Sequence, residues 1–230
     1  MVKISVAIPT YEMRGVGHEV LEHALKSLSI QTLKDFEVVV SDQSVDYKTR
    51  DLCYNWSDKL NIVYCREEKK RGYFTANENW AIKHCAGEII KFLDADDFLY
   101  NETSLEKSYN AFDDEDVKWV ATNYIHTYDR VTLSDIHVPT MNPQIYVFNT
   151  IGTPSCISVR NQNPVLFDEN LRWAGDCEWY KRLVDAYGYP KILDEITAVH
   201  LLWSGQIANT FATGELQMEE NRYIISKYEK

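Results

Sequence analysis

The segment Phe92-Leu93-Asp94-Ala95-Asp96-Asp97 sets three carboxylates side by side behind an apolar run. In extended backbone, side chains at i and i+2 point the same way, so Asp94 and Asp96 are expected to project together. Ile89 to Leu93 reads as a strand, which puts the pair at its carboxyl end, where open α/β sheets bind ligands. Carboxylates this close repel one another unless a cation sits among them. Hard oxygen ligands suit Mg2+ or Mn2+, which keep open positions for substrate phosphates. A solvated acidic turn capping the next helix is the competing reading.

Two further strand ends carry polar groups. Val39-Val40-Ser41-Asp42-Gln43-Ser44 places another carboxylate at an apolar run's end, and Ile8-Pro9-Thr10-Tyr11 closes a third run with a polar, aromatic turn. Three such ends on one rim make a nucleotide crevice, and their carboxylates are expected to stand exposed when it is empty. Lys69-Lys70-Arg71-Gly72, followed by Asn77 and Asn79, is a basic run that either meets a diphosphate or forms a solvated face.

The elements that must position these residues show in the hydrophobic pattern. Ile4 to Ile8 is a short strand ended by Pro9, and Val20, Leu21, Ala24, Leu25 and Leu28 recur on one helical face. Phe36 to Val40 is a continuous apolar strand, as in a parallel sheet covered on both faces. A helix over 47–57, a strand over Asn61 to Cys65 and a helix carrying Trp80, Ala81, His84 and Cys85 complete a β-α-β-α rhythm. Beyond residue 100 the rhythm changes. Thr103-Ser104-Leu105-Glu106 predicts a capping box opening a short helix. Segments 117–128 and 131–138 predict an antiparallel hairpin around Asp129-Arg130, and the stretch with Pro139, Pro143 and Pro154 predicts loop. A helix from Asp176 to Gly188, a strand over 191–202 and a terminal helix from Glu215 finish the chain. With no linker or repeat, residues 1–230 read as one domain, divided into a 1–100 half and a 101–230 half.

A net charge of −11 excludes a nucleic-acid binder built on a basic stripe, and it means that an anionic substrate needs a local cation. The five cysteines are odd in number and lack CxxC spacing, which argues against a zinc site or disulfide framework and for reduced thiols in the cytoplasm. Val2 to Ile8 is too short before Pro9 for a signal peptide's apolar region, and no run reaches the ~18 residues that span a bilayer. Attachment to a membrane surface stays open.

These motifs, in this order, resemble glycosyltransferase family 2 on the GT-A fold, an open and mostly parallel sheet flanked by helices with a small antiparallel second sheet. The resemblance runs from Ile4 to about Ile207 and rests on four segments. They are Val6 to Tyr11, Ser29 to Thr32 with Phe36 to Ser44, Gly72 to Ile82, and Ala86 to Asp97. It implies a nucleotide-sugar donor in the 1–100 half, UDP-linked in the common case. It implies a glycan, lipid-linked or protein-linked acceptor in the 101–230 half.

Site by site, the resemblance implies that Asp42 contacts the donor base, with Pro9, Thr10 and Tyr11 lining that pocket. Asp94 faces the ribose or metal, Asp96 ligates Mn2+ or Mg2+, and Arg71 and Asn79 join the donor pocket. Gly175-Asp176-Cys177-Glu178 resembles the family's catalytic helix start and makes Asp176 the general base. A simple helix cap is the alternative. Gly152 to Cys156 resembles the loop near the acceptor. The sequence departs from the family at Glu12, where Asn is usual, and at Trp203, where a metal-binding His is usual. His200, three residues earlier, is the substitute ligand candidate. The expected reaction is therefore metal-dependent, inverting sugar transfer to a hydroxyl. A haloacid dehalogenase-type phosphatase is disfavoured because its acidic motif follows the first strand. A catalytically silent binding module on the same fold is the remaining rival, and the intact Asp94, Asp96 and Asp176 argue against it.

Overall fold

The computed structural model describes residues 2–206, 209 and 212–229. Ile207 and Ala208, which close the run matched to the family's metal position, lie outside the described residues. In chain order the elements are β1 (Ile4–Thr10), α1 (Gly17–Ser29), β2 (Phe36–Asp42), α2 (Lys48–Trp56), β3 (Ile62–Arg66), α3 (Phe74–His84) and β4 (Ile89–Phe92). They continue with β5 (Phe98–Leu99), α4 (Ser104–Asn110), β6 (Trp119–Thr127), β7 (Leu133–His137), β8 (Ile157–Arg160), α5 (Gly175–Tyr187), β9 (Lys191–Leu201) and α6 (Gly214–Tyr228).

The strands alternate their side chains between two cores. Val6 and Ile8 join Leu21, Leu25 and Leu28 of α1 on one face, while Ala7 joins Ala81 and Ile82 of α3 and Trp179 and Leu183 of α5 on the other. This double covering explains why β1 and β2 are apolar without alternation. No helix among the described residues is long and apolar enough to cross a membrane.

Among the described residues the strands form one sheet in the order β3-β2-β1-β4-β8-β6-β9-β5, with β7 on β6. β3, β2, β1 and β4 run parallel, and strand order reverses between β1 and β4. That reversal opens a crevice beyond their carboxyl ends. The antiparallel strands expected as a second sheet belong to the same one. β6 bonds β8 through Trp119–Ala121 and β7 through Tyr124–Thr127, and lies parallel to β9.

Four local expectations are corrected. Asp94 to Asp97 is a turn closed by the Asp97 N–H on the Asp94 carbonyl (3.0 Å), so turn geometry rather than strand alternation gathers the carboxylates. The capping box does not form. Asn101 Oδ1 accepts from the Thr103 N–H and hydroxyl, and Glu106 accepts from Thr32 instead. β8 forms beyond a stretch read as loop, and two-residue β5 pairs with β9. Asn79 is not a pocket residue. It is buried, its Nδ2 donates to the Phe167 carbonyl (3.0 Å) and Glu169 (3.0 Å), and its Oδ1 accepts from the Phe167 N–H (2.8 Å). It clamps α3 to a segment 88 residues away because a side-chain amide satisfies both backbone groups of one residue.

Asn79→Ala leaves the Phe167 N–H and carbonyl buried without a partner, which should destabilise the protein by about 3 kcal/mol. Urea denaturation measures this, and an unchanged midpoint would show that the clamp carries no stability.

Candidate functional site

A cleft of about 980 Å³ lies at the carboxyl ends of β1 and β4 and takes walls from both halves of the chain. Its floor is the acidic turn. Asp94 accepts the Thr153 hydroxyl (2.7 Å) on Oδ2, and its own N–H donates to Ser155 Oγ (2.9 Å). Asp97 is fully buried and accepts from the Leu201 N–H (3.0 Å), Thr153 (3.3 Å) and His200 Nδ1 (3.2 Å). Asp96 accepts the Trp203 indole N–H at 2.7 Å. Beneath them, Lys91 is buried in β4 with its ammonium on the Ser155 carbonyl (2.5 Å).

The electrostatics follow from this crowding. Burial, then the charge of Asp97, pushes the Asp94 carboxyl up to about 7 and that of Asp96 up to about 6. Burial opposes charge on His200, but Asp97, Asp94 and Asp96 outweigh it and push the imidazole up to about 9. Burial also draws Lys91 down to about 8. The Tyr11 hydroxyl is raised by burial and by Asp96. The site thus carries more negative charge than its neighbours offset.

This donor set fits a divalent cation of one kind. No group of three or more His, Cys, Asp or Glu among the described residues forms a protein cage. Asp94 and Asp96 can supply carboxylate oxygens to a Mg2+ or Mn2+ whose other ligands are water and phosphate. His200 does not fit as a ligand. Its Nδ1 pairs with Asp97 and its Nε2 pairs with the Gln206 amide nitrogen at 3.2 Å, so both ring nitrogens are engaged within the protein. Trp203 stands at the acid cluster where the family resemblance placed it, but it offers a proton rather than a lone pair.

The first-half wall contains Pro9, Thr10, Tyr11, Gln43 and Arg71. Asp42 departs from expectation. It has no exposed surface, and its oxygens accept from the Ser44 N–H (2.8 Å) and the Tyr64 hydroxyl (2.7 Å). It shapes the turn after β2 instead of standing open in the crevice. Gln43 and Asn77 were missed in the sequence as organisers. Gln43 donates to Glu67 (2.9 Å) and the Lys70 carbonyl (2.9 Å) and accepts from the Gly72 N–H (3.2 Å), which fixes the basic loop carrying Arg71. Asn77 joins the Thr10 carbonyl (2.9 Å) to Ser41 Oγ (2.5 Å), tying the ends of β1 and β2. Neighbouring Met13 and Arg14 have φ of 43° and 59° at the mouth of the cleft. Non-glycine residues adopt this conformation only when their surroundings impose it.

Asp176 forms the second-half wall. It is the second residue of α5, after Gly175 and the cap Ala174, and its Oδ1 accepts only the neighbouring Cys177 N–H (2.7 Å) among the helix amides. The cap reading therefore fails. A Cβ on Gly175 would lie 2.3 Å from Thr75, so glycine is what lets this helix start reach α3 and the cleft. Asn149 donates to Asp176 Oδ2 (2.8 Å) and exchanges bonds with Gly152. Glu220 of α6 accepts the N–H groups of Arg172 (2.6 Å), Trp173 (3.0 Å) and Ala174 (2.8 Å), anchoring the segment that enters α5. No local motif marked Asn149 or Glu220, since each matters only through distant partners. Burial pushes the Asp176 carboxyl up to about 6.

Comparison with known proteins identifies the family and the fold. Residues 5–158 match the family model described as Glycosyl transferase family 2. Over 97% of its length the chain is 28% identical to an uncharacterized glycosyltransferase of Rickettsia conorii, and it spans 35% of that protein. The crystal structure of Staphylococcus aureus TarS 1-349 in complex with UDP-GlcNAc has a TM-score of 0.75 at 23% identity, covering 97% of this chain and 66% of that 1-349 chain. Mannosyltransferase PcManGT from Pyrobaculum calidifontis, in complex with GDP-Man and Mn2+, has a TM-score of 0.64 at 18% identity, covering 87% of this chain and 57% of that one. These likenesses establish the GT-A fold.

The charge imbalance at the acidic turn predicts a pH-dependent stability. An unfolded aspartate titrates at about 3.9. The Asp96 carboxyl holds its proton up to about 6, so the folded state loses stability as pH rises between those values. In protein treated with chelator, Asp96→Asn should raise the melting temperature at pH 8 and lose that advantage by about pH 4. Equal melting temperatures for variant and parent at both pH values would contradict the assigned imbalance.

Proposed function

The chain belongs to glycosyl transferase family 2, and we propose that it moves a sugar from a nucleotide-sugar donor, by preference a UDP-sugar, to an acceptor hydroxyl with inversion. The observation that carries this reading is the shared cleft of Asp94, Asp96 and Asp176. One wall suits a diphosphate, and the other presents a carboxylate whose proton affinity burial raises, up to about 6. The complex of the S. aureus relative with UDP-GlcNAc supports the donor class, and the complex of the Pyrobaculum relative with Mn2+ supports a cation. The acceptor class is a glycan, lipid-linked or protein-linked hydroxyl compound that enters along the second-half wall.

In the proposed reaction the nucleotide lies against the ends of β1 and β2, between Pro9, Thr10, Tyr11 and Arg71. Asp42 serves the base pocket by holding the Ser44 amide and Tyr64. Asp94 and Asp96 would hold Mn2+ or Mg2+, which would supply positive charge to offset the negative charge of the departing diphosphate. Asp176, steadied by Asn149, accepts the proton of the acceptor hydroxyl as that oxygen bonds to the anomeric carbon. The electron pair of the old bond leaves with the nucleoside diphosphate. A single displacement of this kind inverts the carbon, and no group of the cleft needs to become glycosylated.

Two measurements test the proposal together. With a nucleotide-sugar panel and an active acceptor, Asp176→Asn should lower kcat by ~10²–10⁴ while donor Kd stays unchanged. The kcat of the parent should fall on the acid side through about pH 6, where Asp176 takes up its proton. Asp176→Asn turning over near the parent rate would remove this residue as base. Donor binding without transfer or hydrolysis in the parent would assign a silent binding module instead.

A further inference from the structure

The carboxylate at the end of β2 is closed to a ligand. Asp42 is fully buried, with its oxygens on the Ser44 N–H (2.8 Å) and the Tyr64 hydroxyl (2.7 Å). A second carboxylate stands at the same rim. Glu12, in the loop after β1, is half-buried and lines the cleft. Its Oε2 accepts the Val45 N–H (3.2 Å) from the loop after β2. That bond takes up one oxygen, and a carboxylate accepts on two. Glu12 thus keeps the capacity to accept from a ligand in the cleft.

Both loops hold this carboxylate in place. The Glu12 carbonyl accepts the N–H groups of Gly15 (2.7 Å) and Gly17 (2.9 Å). A Cβ on Gly17 would lie 2.0 Å from the Tyr11 carbonyl oxygen, so the loop closes this tightly only with glycine there. Met13 and Arg14, inside the closed loop, take the positive φ values that such surroundings impose. Across the rim, Arg66 donates to the Ser44 (2.5 Å) and Asp46 (3.0 Å) carbonyls on either side of Val45. The Val45 side chain is 63% exposed and lines the cleft with Glu12. An open apolar side chain beside a fixed acceptor suits a flat ring that has an apolar face and a polar edge.

Resting on the function proposed above, we propose that Glu12 reads the base of the donor nucleotide by accepting its ring N–H. Uracil and thymine carry that hydrogen on N3, and guanine carries it on N1. Cytosine N3 and adenine N1 present a lone pair at the same place. A carboxylate only accepts, so it attracts the first group of bases and repels the second. Asparagine, the usual residue here in the family, carries a donor as well and would not draw that distinction. Asp42 keeps its part in the pocket by shaping the turn that carries Val45.

The test measures binding of UDP, dTDP, GDP, CDP and ADP to the full chain by calorimetry with Mg2+ present. In the parent, a nucleotide with a ring N–H should bind more tightly than its lone-pair counterpart, UDP over CDP or GDP over ADP, by about tenfold or more. Glu12→Gln keeps the shape of the side chain and can still accept the Val45 N–H on its amide oxygen. Its NH2 group then faces the base, where it opposes a ring N–H and suits a lone pair. UDP or GDP should therefore weaken in this variant while CDP or ADP tightens, so that the ratio falls by about tenfold. A side chain that only braced Val45 would change both partners of a pair by one factor. An unchanged ratio in Glu12→Gln would overturn the role of Glu12 and leave the proposed function standing. Parent protein that binds both members of each pair alike would overturn it in the same way. Failure of every nucleoside diphosphate to bind the parent would overturn the proposed function and this inference with it.

Discussion

Mutual repulsion among Asp94, Asp96 and Asp97, gathered in one turn behind β4, sets the terms for the surrounding structure. Like charges brought out of water need compensation, and here it arrives from four directions. Lys91 lies beneath in the same strand, Thr153 and Ser155 close over the turn, β9 contributes Leu201 and His200, and Trp203 reaches Asp96. The later half of the chain meets the earlier half at this turn as well as along the β4–β8 and β5–β9 pairings. Asp97 takes the structural share, fully buried with both oxygens engaged. Asp94 and Asp96, one step nearer the cleft, keep the unresolved charge that a cation can use.

A small set of long-range polar clamps ties the second half to the first at Asn79 and braces the second half within itself. Asn79 holds Phe167, Glu220 holds the three amides before α5, and Lys227 of α6 binds both Asp168 and Glu178. Thr153 and Asn149 lie in one loop, and the first touches the acid cluster while the second touches Asp176. A shift in that loop therefore moves the acid cluster and Asp176 together. The clamps are amides and carboxylates on backbone groups. Their directionality fixes distances that apolar packing alone would leave loose.

The crevice itself follows from topology. Reversal of strand order between β1 and β4 leaves their carboxyl ends without a crossing connection above them, and the loops after β1, β2 and β4 become its walls. Met13 and Arg14 occupy positive φ in the first of these loops, and Glu12 there accepts the Val45 N–H of the second. The residue that departs from the family's usual asparagine thus has a structural task.

The sequence by itself determined the parallel half and the rim. Ile4 to Ile8, Phe36 to Val40 and Ile89 to Leu93 show as continuous apolar runs, and the face of Val20, Leu21, Ala24, Leu25 and Leu28 shows in a local repeat of 3.6 residues. Strand-end carboxylates and the helix-start Asp176 were legible for the same reason. Tertiary structure alone decided which of them meet solvent and which meet partners. Asp42 and Asp94 are both strand-end aspartates, yet one is spent on Ser44 and Tyr64 while the other faces the cleft. Asn77 and Asn79 are two residues apart, yet only Asn77 lines the cleft. The deciding bonds join Thr153 to Asp94 across 59 residues, His200 to Asp97 across 103 and Trp203 to Asp96 across 107. Periodicity reports only what a backbone does within a few residues. Hydrogen bonds of that span come into being only when the second half of the chain packs onto the first.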